Sequence, residues 1–208
     1  MILSIVTAPA AASAEGLSVE ALLQRVLPSV ARIVSDDDAN PDTESVGSGV
    51  VLVHSAGAVD VLTAAHVIKS KRPPVIHFAN LPKGKRGSAV KLDAKVDLAM
   101  VRIDGADVPA LPLAREVRRG LGVAVIGFPG YEYQFDIQPR LSDGVVSAVD
   151  EQTGLFEHDA VTDEGNSGGP IVDLSSGALV GVVEGEPSPG DYVGISVSRI
   201  RQFMNSLH

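Results

Sequence analysis

Three short segments carry residue types that acyl-transfer chemistry can use. A serine becomes a nucleophile only with a base to take its proton, a carboxylate to orient that base, and donors for the oxyanion that forms. The run Glu164-Gly165-Asn166-Ser167-Gly168-Gly169-Pro170 offers Ser167 between glycines whose backbone can aim N–H groups into one small space. The amides of Gly165, Asn166 and Ser167 are the candidate oxyanion donors, each such donor contributing about 3 kcal/mol of transition-state stabilisation. In Val61-Leu62-Thr63-Ala64-Ala65-His66-Val67 an apolar strand runs through small residues into a lone histidine, the candidate base. Val96-Asp97-Leu98-Ala99-Met100-Val101 sets one carboxylate among apolar residues at the head of a strand. Burial there is costly unless a donor such as an imidazole N–H partners the acid.

Each segment alone has an ordinary structural explanation. His66 would be a loop or core histidine, Asp97 a turn or cap residue, and the glycine run a tight turn between strands. A phosphate cradle would need a lysine and a following helix, and both are missing. Gly165-Asn166-Ser167-Gly168-Gly169 fits the Gly-x-Ser-x-Gly letters of an esterase nucleophile elbow, but Pro170-Ile171-Val172 continues as a strand rather than a helix. The three segments together, in the order His66, Asp97, Ser167, point to a catalytic triad.

The elements that must position these residues are strands. β-branched runs of strand length, bounded by Gly, Pro, Asp or Ser, cover 30–34, 49–54, 59–64, 75–78, 89–95 and 98–103. After a linking stretch at 109–120, six more cover 122–127, 134–147, 155–161, 170–173, 178–184 and 192–197. Val19, Leu22, Leu23 and Val26 have helical spacing behind Ser18 as N-cap, with Pro28 ending the helix. Ile200, Phe203, Met204 and Leu207 repeat that spacing in a C-terminal helix over 198–207. The expected fold is all-β, with one six-stranded unit at about 28–110, a second at about 118–198, and a helix at each end.

The 208 residues suffice for one domain of two small barrels. With 45% hydrophobic and 21% charged residues the chain is an ordinary globular protein rather than a disordered one. A net charge of -9, with no basic stripe beyond the stretch Lys83 to Arg86, argues against nucleic-acid binding. Without cysteine there are no disulfides and no thiolate zinc site. The oxygen-rich run Asp36-Asp37-Asp38 with Asn40 and Asp42 has calcium-ligand chemistry but reads as a solvated loop. No metal or organic cofactor is expected. The apolar start, Met1 to Val6, followed by Ala12-Ser13-Ala14, resembles the end of a secretory signal with cleavage after Ala14, so the expected location is secreted or periplasmic. No stretch approaches the roughly 18 apolar residues of a membrane-spanning helix.

Thr63-Ala64-Ala65-His66-Val67, Asp97-Leu98-Ala99 and Gly165-Asn166-Ser167-Gly168-Gly169-Pro170 resemble the motifs of the chymotrypsin-like serine peptidases, above all the HtrA/Deg branch. Gly47-Ser48-Gly49-Val50-Val51, Ile126-Gly127-Phe128-Pro129-Gly130 and Ser142-Asp143-Gly144-Val145-Val146-Ser147-Ala148 extend the similarity across nearly the whole chain. The resemblance implies two six-stranded antiparallel barrels with the triad at their junction, a serine endopeptidase activity, polypeptide substrates and no cofactor. Two features depart from the family. The loop from Val161 to Gly165 is shorter than the family pattern, so its pocket is not carried over. No PDZ module follows the protease segment, so peptide sensing by one is not expected. A monomer or a trimer is expected. Val161, Thr162, Val182, Val183, Glu184 and Gly185 are the candidate substrate-binding wall, which together with Gly194 suggests a small or medium apolar residue on the acyl side of the cleaved bond (P1). An inward-pointing Glu184 or Glu186 would instead favour a basic one. The competing reading is a catalytically silent double barrel that binds peptides or a partner.

Overall fold

The Ser18 hydroxyl accepts the Ala21 N–H at 3.2 Å, satisfying one of the amides that the first turn of a helix leaves without a partner. Helix α1 (Val19–Val26) follows, burying Leu22 and Val26, and Pro28 in the tight turn Leu27–Ser29 ends it. The cap and the stop are those expected from the sequence. The computed structural model describes residues 17–38, 43–55, 57–68, 70–129, 138–185 and 192–206. The expected signal segment and Glu186 lie outside them, as do Asn40 and Asp42 of the acidic run. Within that run, Asp38 accepts from the Ser70 hydroxyl at 2.6 Å and from Lys71 N–H at 3.0 Å, bonds that hold its carboxyl below the usual range.

Strands β1 (Val30–Asp36), β2 (Glu44–Ser55), β3 (Ala58–Ala64), β4 (Val75–Phe78), β5 (Leu81–Arg86), β6 (Ser88–Asp93) and β7 (Leu98–Asp104) form an antiparallel sheet in the order β5-β4-β1-β2-β3-β7-β6. Its two edges, β5 and β6, are consecutive in the chain, separated only by Gly87. One bent strand therefore pairs with β4 at one end and β7 at the other, so the sheet curls into a barrel whose edges meet through the chain at Gly87 rather than through a hydrogen-bonded ladder. At the bend the Gly87 N–H donates to Pro74 O at 2.9 Å, and a side chain there would overlap Val101. The basic stretch Lys83 to Arg86, outside every strand expected from the sequence, belongs to β5, half of this sixth strand. Its proline, glycine and lysines mask the strand signal, yet all are tolerated where a strand pairs on one side only. Lys85 Nζ donates to the carbonyls of Asp104 and Gly105, at 3.3 and 2.5 Å.

The second sheet is a closed six-stranded barrel of β8 (Gly122–Gly127), β9 (Arg140–Asp150), β10 (Leu155–His158), β11 (Pro170–Asp173), β12 (Leu179–Gly185) and β13 (Tyr192–Ser196), in the order β10-β13-β12-β11-β8-β9. β4, β8 and β11 have the bounds read from sequence. β10 ends three residues before its expected end at Val161, because Asp159 turns to accept Val145 N–H at 2.6 Å and the chain leaves the sheet. Helix α2 (Val197–Asn205) closes the chain.

Side chains alternate across each strand, and the alternation sorts the core. Val61 joins Ile33, Ile76, Phe78 and Ile103 inside the first barrel, while its neighbour Leu62 faces away. Val123, Phe156, Ile171 and Val183 fill the second barrel. Leu62, Leu98, Met100, Ile126, Val182 and Ile195 meet between the barrels, sealed by Leu22 of α1 and Phe203 of α2. Each such buried Leu, Ile or Phe contributes about 1.5–3 kcal/mol over exposure, so the joint is a rigid floor. The linking stretch is laced to both sheets: Leu111 donates to Val51 O, Leu179 to Pro112 O and Ala114 to Leu179 O.

Candidate active site

The pairing of β3 with β7 brings base and acid together. Ala64 stands opposite Leu98, so the turn Ala65–Val67 after β3 lies beside the residue before β7. His66 Nδ1 and Asp97 Oδ2 are 2.7 Å apart, and the His66 backbone N–H donates to Asp97 Oδ1 at 2.9 Å. Ala65 N–H donates to Asp97 O at 3.1 Å. Asp97 has φ 52, the one non-glycine residue in the left-handed region among the described residues. Aspartate tolerates that conformation better than most residues, and three hydrogen bonds hold it there. With Nδ1–H given to the carboxylate, the neutral ring presents Nε2 as acceptor, the arrangement a general base needs.

The serine turn is pinned to the end of the histidine strand. Gly168, at φ 78, lies so close that a side chain would overlap Thr63 Oγ1, Ala64 N and Ser48 O. Only glycine combines that conformation with that approach. Its N–H donates to Val183 O at 2.8 Å, and Val183 N–H returns a bond to Gly169 O at 2.9 Å, fixing the turn to β12. Asn166, expected among the oxyanion donors, gives its N–H to Asp163 O at 3.0 Å instead. The amides of Gly165 and Ser167 make no backbone hydrogen bond with another described residue, which leaves these two as the available donors.

Ser48, noted in the sequence only within its glycine-flanked run, is the hub of this arrangement. Fully buried on β2, its hydroxyl donates to Gly165 O at 2.8 Å and accepts Phe128 N–H at 2.8 Å. Its backbone N–H donates to Ser167 O at 2.9 Å, and its carbonyl accepts the Thr63 hydroxyl at 2.7 Å. Three segments distant in sequence thus converge on one residue, which is why local pattern did not single it out. Ser48→Ala strands Gly165 O and Phe128 N–H inside the protein and is expected to cost about 1–3 kcal/mol. A lowered urea midpoint checks this, and an unchanged one refutes the hub.

The substrate wall expected from sequence divides. Val161 is 54% exposed and Thr162 is buried. Val182 and Val183 are not wall residues by their side chains: the first is sunk between the barrels and the second inside the second barrel, because strand alternation sends both into core. Gly185 is partly exposed, and Gly194 is buried against Phe156 and Ile171. Glu184 is half-buried, its carboxyl raised above the usual range by burial first and by Asp97 second, against the pull of His66. His158, unremarked in the sequence, lies buried at the end of β10, its ring 6.1 Å from Tyr192 and 5.9 Å from Phe156. Neither ring nitrogen makes a well-formed hydrogen bond to another described residue. Burial pushes its pKa down to about 4, partly opposed by the Ala160 backbone and the Asp159 charge.

The geometry has parallels. Residues 47–182 match the model of the trypsin-like peptidase domain. Serine protease HTR4 of Rattus norvegicus is 28% identical over 207 residues, covering 91% of this chain and 40% of its own length. The "Probable periplasmic serine endoprotease DegP-like" of Pseudomonas fluorescens is 29% identical over 153 residues, covering 70% of this chain and 30% of its own. The chain thus spans well under half the length of these relatives. The serine endoprotease structure from Yersinia pestis superimposes with a TM-score of 0.75 at 26% identity, over 92% of this chain and 66% of that one. A closed barrel joined to a second curled sheet, a histidine–aspartate pair on the joint and a glycine-bounded serine pinned beside it meet a family match over most of the chain: the protein belongs to the trypsin-like peptidase family and is similar to its HtrA branch.

Proposed function

We propose that the chain is a serine endopeptidase with His66, Asp97 and Ser167 as its triad. The observation that carries this is the 2.7 Å His66–Asp97 pair at the end of β3, the same strand end on which the Ser167 turn is packed. Ser167 Oγ attacks the peptide carbonyl carbon while His66 Nε2 takes its proton. The carbonyl oxygen becomes the oxyanion, received by the N–H groups of Gly165 and Ser167. As the C–N bond breaks, His66 returns the proton to the leaving amine, and the acyl group stays on Ser167. Water, deprotonated by His66, then attacks the ester and frees the acid. Asp97 holds the histidine tautomer and stabilises the imidazolium.

The two barrels, at about 28–110 and 118–198, form one protease unit acting on polypeptides. Exposed Val161 supports a small or medium apolar P1 residue. The Ala12-Ser13-Ala14 segment and the likeness to a periplasmic relative support a secreted or periplasmic location. No helix among the described residues is long and apolar enough to cross a membrane.

Unfolded casein and a fluorophosphonate probe test the class. The chain should degrade the first and be labelled by the second at Ser167, whereas intact casein and an unlabelled serine would leave a silent binding barrel. Asp97→Asn tests the pair: asparagine accepts a left-handed φ, so the fold persists. Its amide turns a donor towards Nδ1 and selects the wrong tautomer, so kcat should fall on the order of 10⁴-fold with Tm little changed. A loss below tenfold would remove Asp97 from the mechanism.

A further inference from the structure

Strand β1 sends its residues alternately into and away from the first barrel. Ala31 and Ile33 belong to its core, and Arg32 between them faces outward. The pairing of β1 with β2 runs without a register shift from Val30 to Asp36, so that alternation is unbroken. Ser48 on β2 and His77 on β4 stand directly opposite Arg32, and directly opposed residues carry their side chains on one face of a sheet. On that face the Ser48 hydroxyl accepts Phe128 N–H at 2.8 Å, which sets Phe128 over the side of the sheet that Arg32 leaves from. A cavity of about 230 Å³ lies there. Phe78, Phe128 and Pro139 give it apolar walls, and Arg32, His77 and Gln138 are the polar residues on it. The Arg32 guanidinium makes no hydrogen bond or ion pair with another described residue. Glu44, the carboxylate that acts on it, is four residues from Ser48 on β2, on the order of 13 Å along the strand. Burial withdraws water from the guanidinium and holds its pKa below the usual value, against the pull of Glu44.

We propose that this cavity binds a single carboxylate joined to an apolar body about one residue in size, with Arg32 as its anchor. The guanidinium is a planar fork of N–H donors that fits the two oxygens of a carboxylate. One fixed positive charge matches one negative charge, and the phenylalanine and proline walls disfavour the strongly hydrated dianion of a phosphate. The volume sets the size: it is below the roughly 300 Å³ at which sites for drug-sized molecules begin. A half-buried cation without a partner is costly, and an apolar carboxylate supplies both the missing acceptors and the missing packing. Two sources share that chemistry, a polypeptide chain ending in an apolar residue and a free organic acid. Binding here is independent of the triad reading, because none of His66, Asp97 and Ser167 lines the cavity.

N-acetylphenylalanine carries the acid on one residue, and its amide differs from it only in lacking the charge. Titrated into the unaltered chain and followed by ¹H–¹⁵N shifts, the acid should move the Arg32 Nε–H and the Phe128 backbone N–H. The amide should bind more weakly by about tenfold or more, the scale of one hydrogen bond to a charged group. Arg32→Gln should lose the same factor for the acid and nothing for the amide. Equal affinity for acid and amide overturns the proposal, and so do shifts confined to Gly165 and Ser167, which would put the acid in the peptide cleft. Should the variant not fold, the Arg32 Nε–H of the unaltered chain decides alone: no movement at millimolar acid overturns the proposal. 3-Phenylpropionate then separates the two sources, since it keeps the ring and the carboxylate but lacks the acyl amide. Binding as tight as that of N-acetylphenylalanine supports a free acid as the ligand, and binding several-fold weaker supports a polypeptide end.

Discussion

Casein cleavage by the Ser167→Ala chain is expected to fall by about 10⁵- to 10⁶-fold in kcat, the scale on which loss of a triad nucleophile acts. The change removes one oxygen and nothing that holds the turn. The bonds that pin it run through backbone or through Ser48: Ser48 N–H to Ser167 O, Gly168 N–H to Val183 O, and the Ser48 hydroxyl to Gly165 O. Alanine keeps all of them, so the thermal midpoint should hardly move and the loss is chemical. The Gly165 and Ser167 amides survive too, so a residual rate above the uncatalysed one should persist. His66→Ala should lose a similar amount, and the double variant little more than either alone, because base and nucleophile act as one unit. Cleavage by Ser167→Ala within tenfold of the unaltered chain would place the nucleophile elsewhere.

The second large effect is on stability. His158 is buried and neutral, with a folded-state pKa of about 4 against about 6.5 when unfolded. A depressed pKa means that the unfolded chain binds the extra proton first. The stability it contributes is therefore fully present above about pH 6.5 and is lost progressively as pH falls to about 4 and just below. The difference corresponds to about 3 kcal/mol. Its cause is the apolar seat between Phe156 and Tyr192, where no well-formed hydrogen bond to a described residue steadies a charged ring. His158→Phe fills that seat without a titrating group. Urea midpoints at pH 7 and pH 4 should show the unaltered chain losing about 3 kcal/mol more than the variant. Parallel losses in the two chains would show that the His158 ring is already accessible to a proton in the native state.

The proposed triad is legible in the sequence only as a set, because His66, Asp97 and Ser167 each have an ordinary structural explanation and it is their occurrence together, in that order, that points to acyl transfer. Gly165 to Pro170 is a glycine-rich turn in which Gly168 must be glycine, and Asp97 is an acid isolated among apolar residues. The strands could be read because valine and isoleucine alternate between glycine and proline stops, and β4, β8 and β11 fall on the expected residues. β5 could not, since Pro82, Gly84 and its basic residues signal a turn, and its pairing with β4 is a long-range fact. Val182 and Val183 looked like pocket residues because apolar character does not say which face a side chain takes. The barrel decides that, and it sends both inward.

By itself the sequence determined which residue types are on hand for the proposed chemistry, because nucleophile, base and acid are matters of side-chain type. It also determined that strands would carry them. Only the tertiary structure decided how they are held: that chain continuity at Gly87 joins the two edges of the first sheet, and that Ser48 ties the serine turn to Phe128 and to the end of β3. The physical reason is one of range. Propensity and turn chemistry act over a few residues, whereas Ser48 meets Gly165 across 117 positions, a contact that exists only once both sheets have formed and closed on each other.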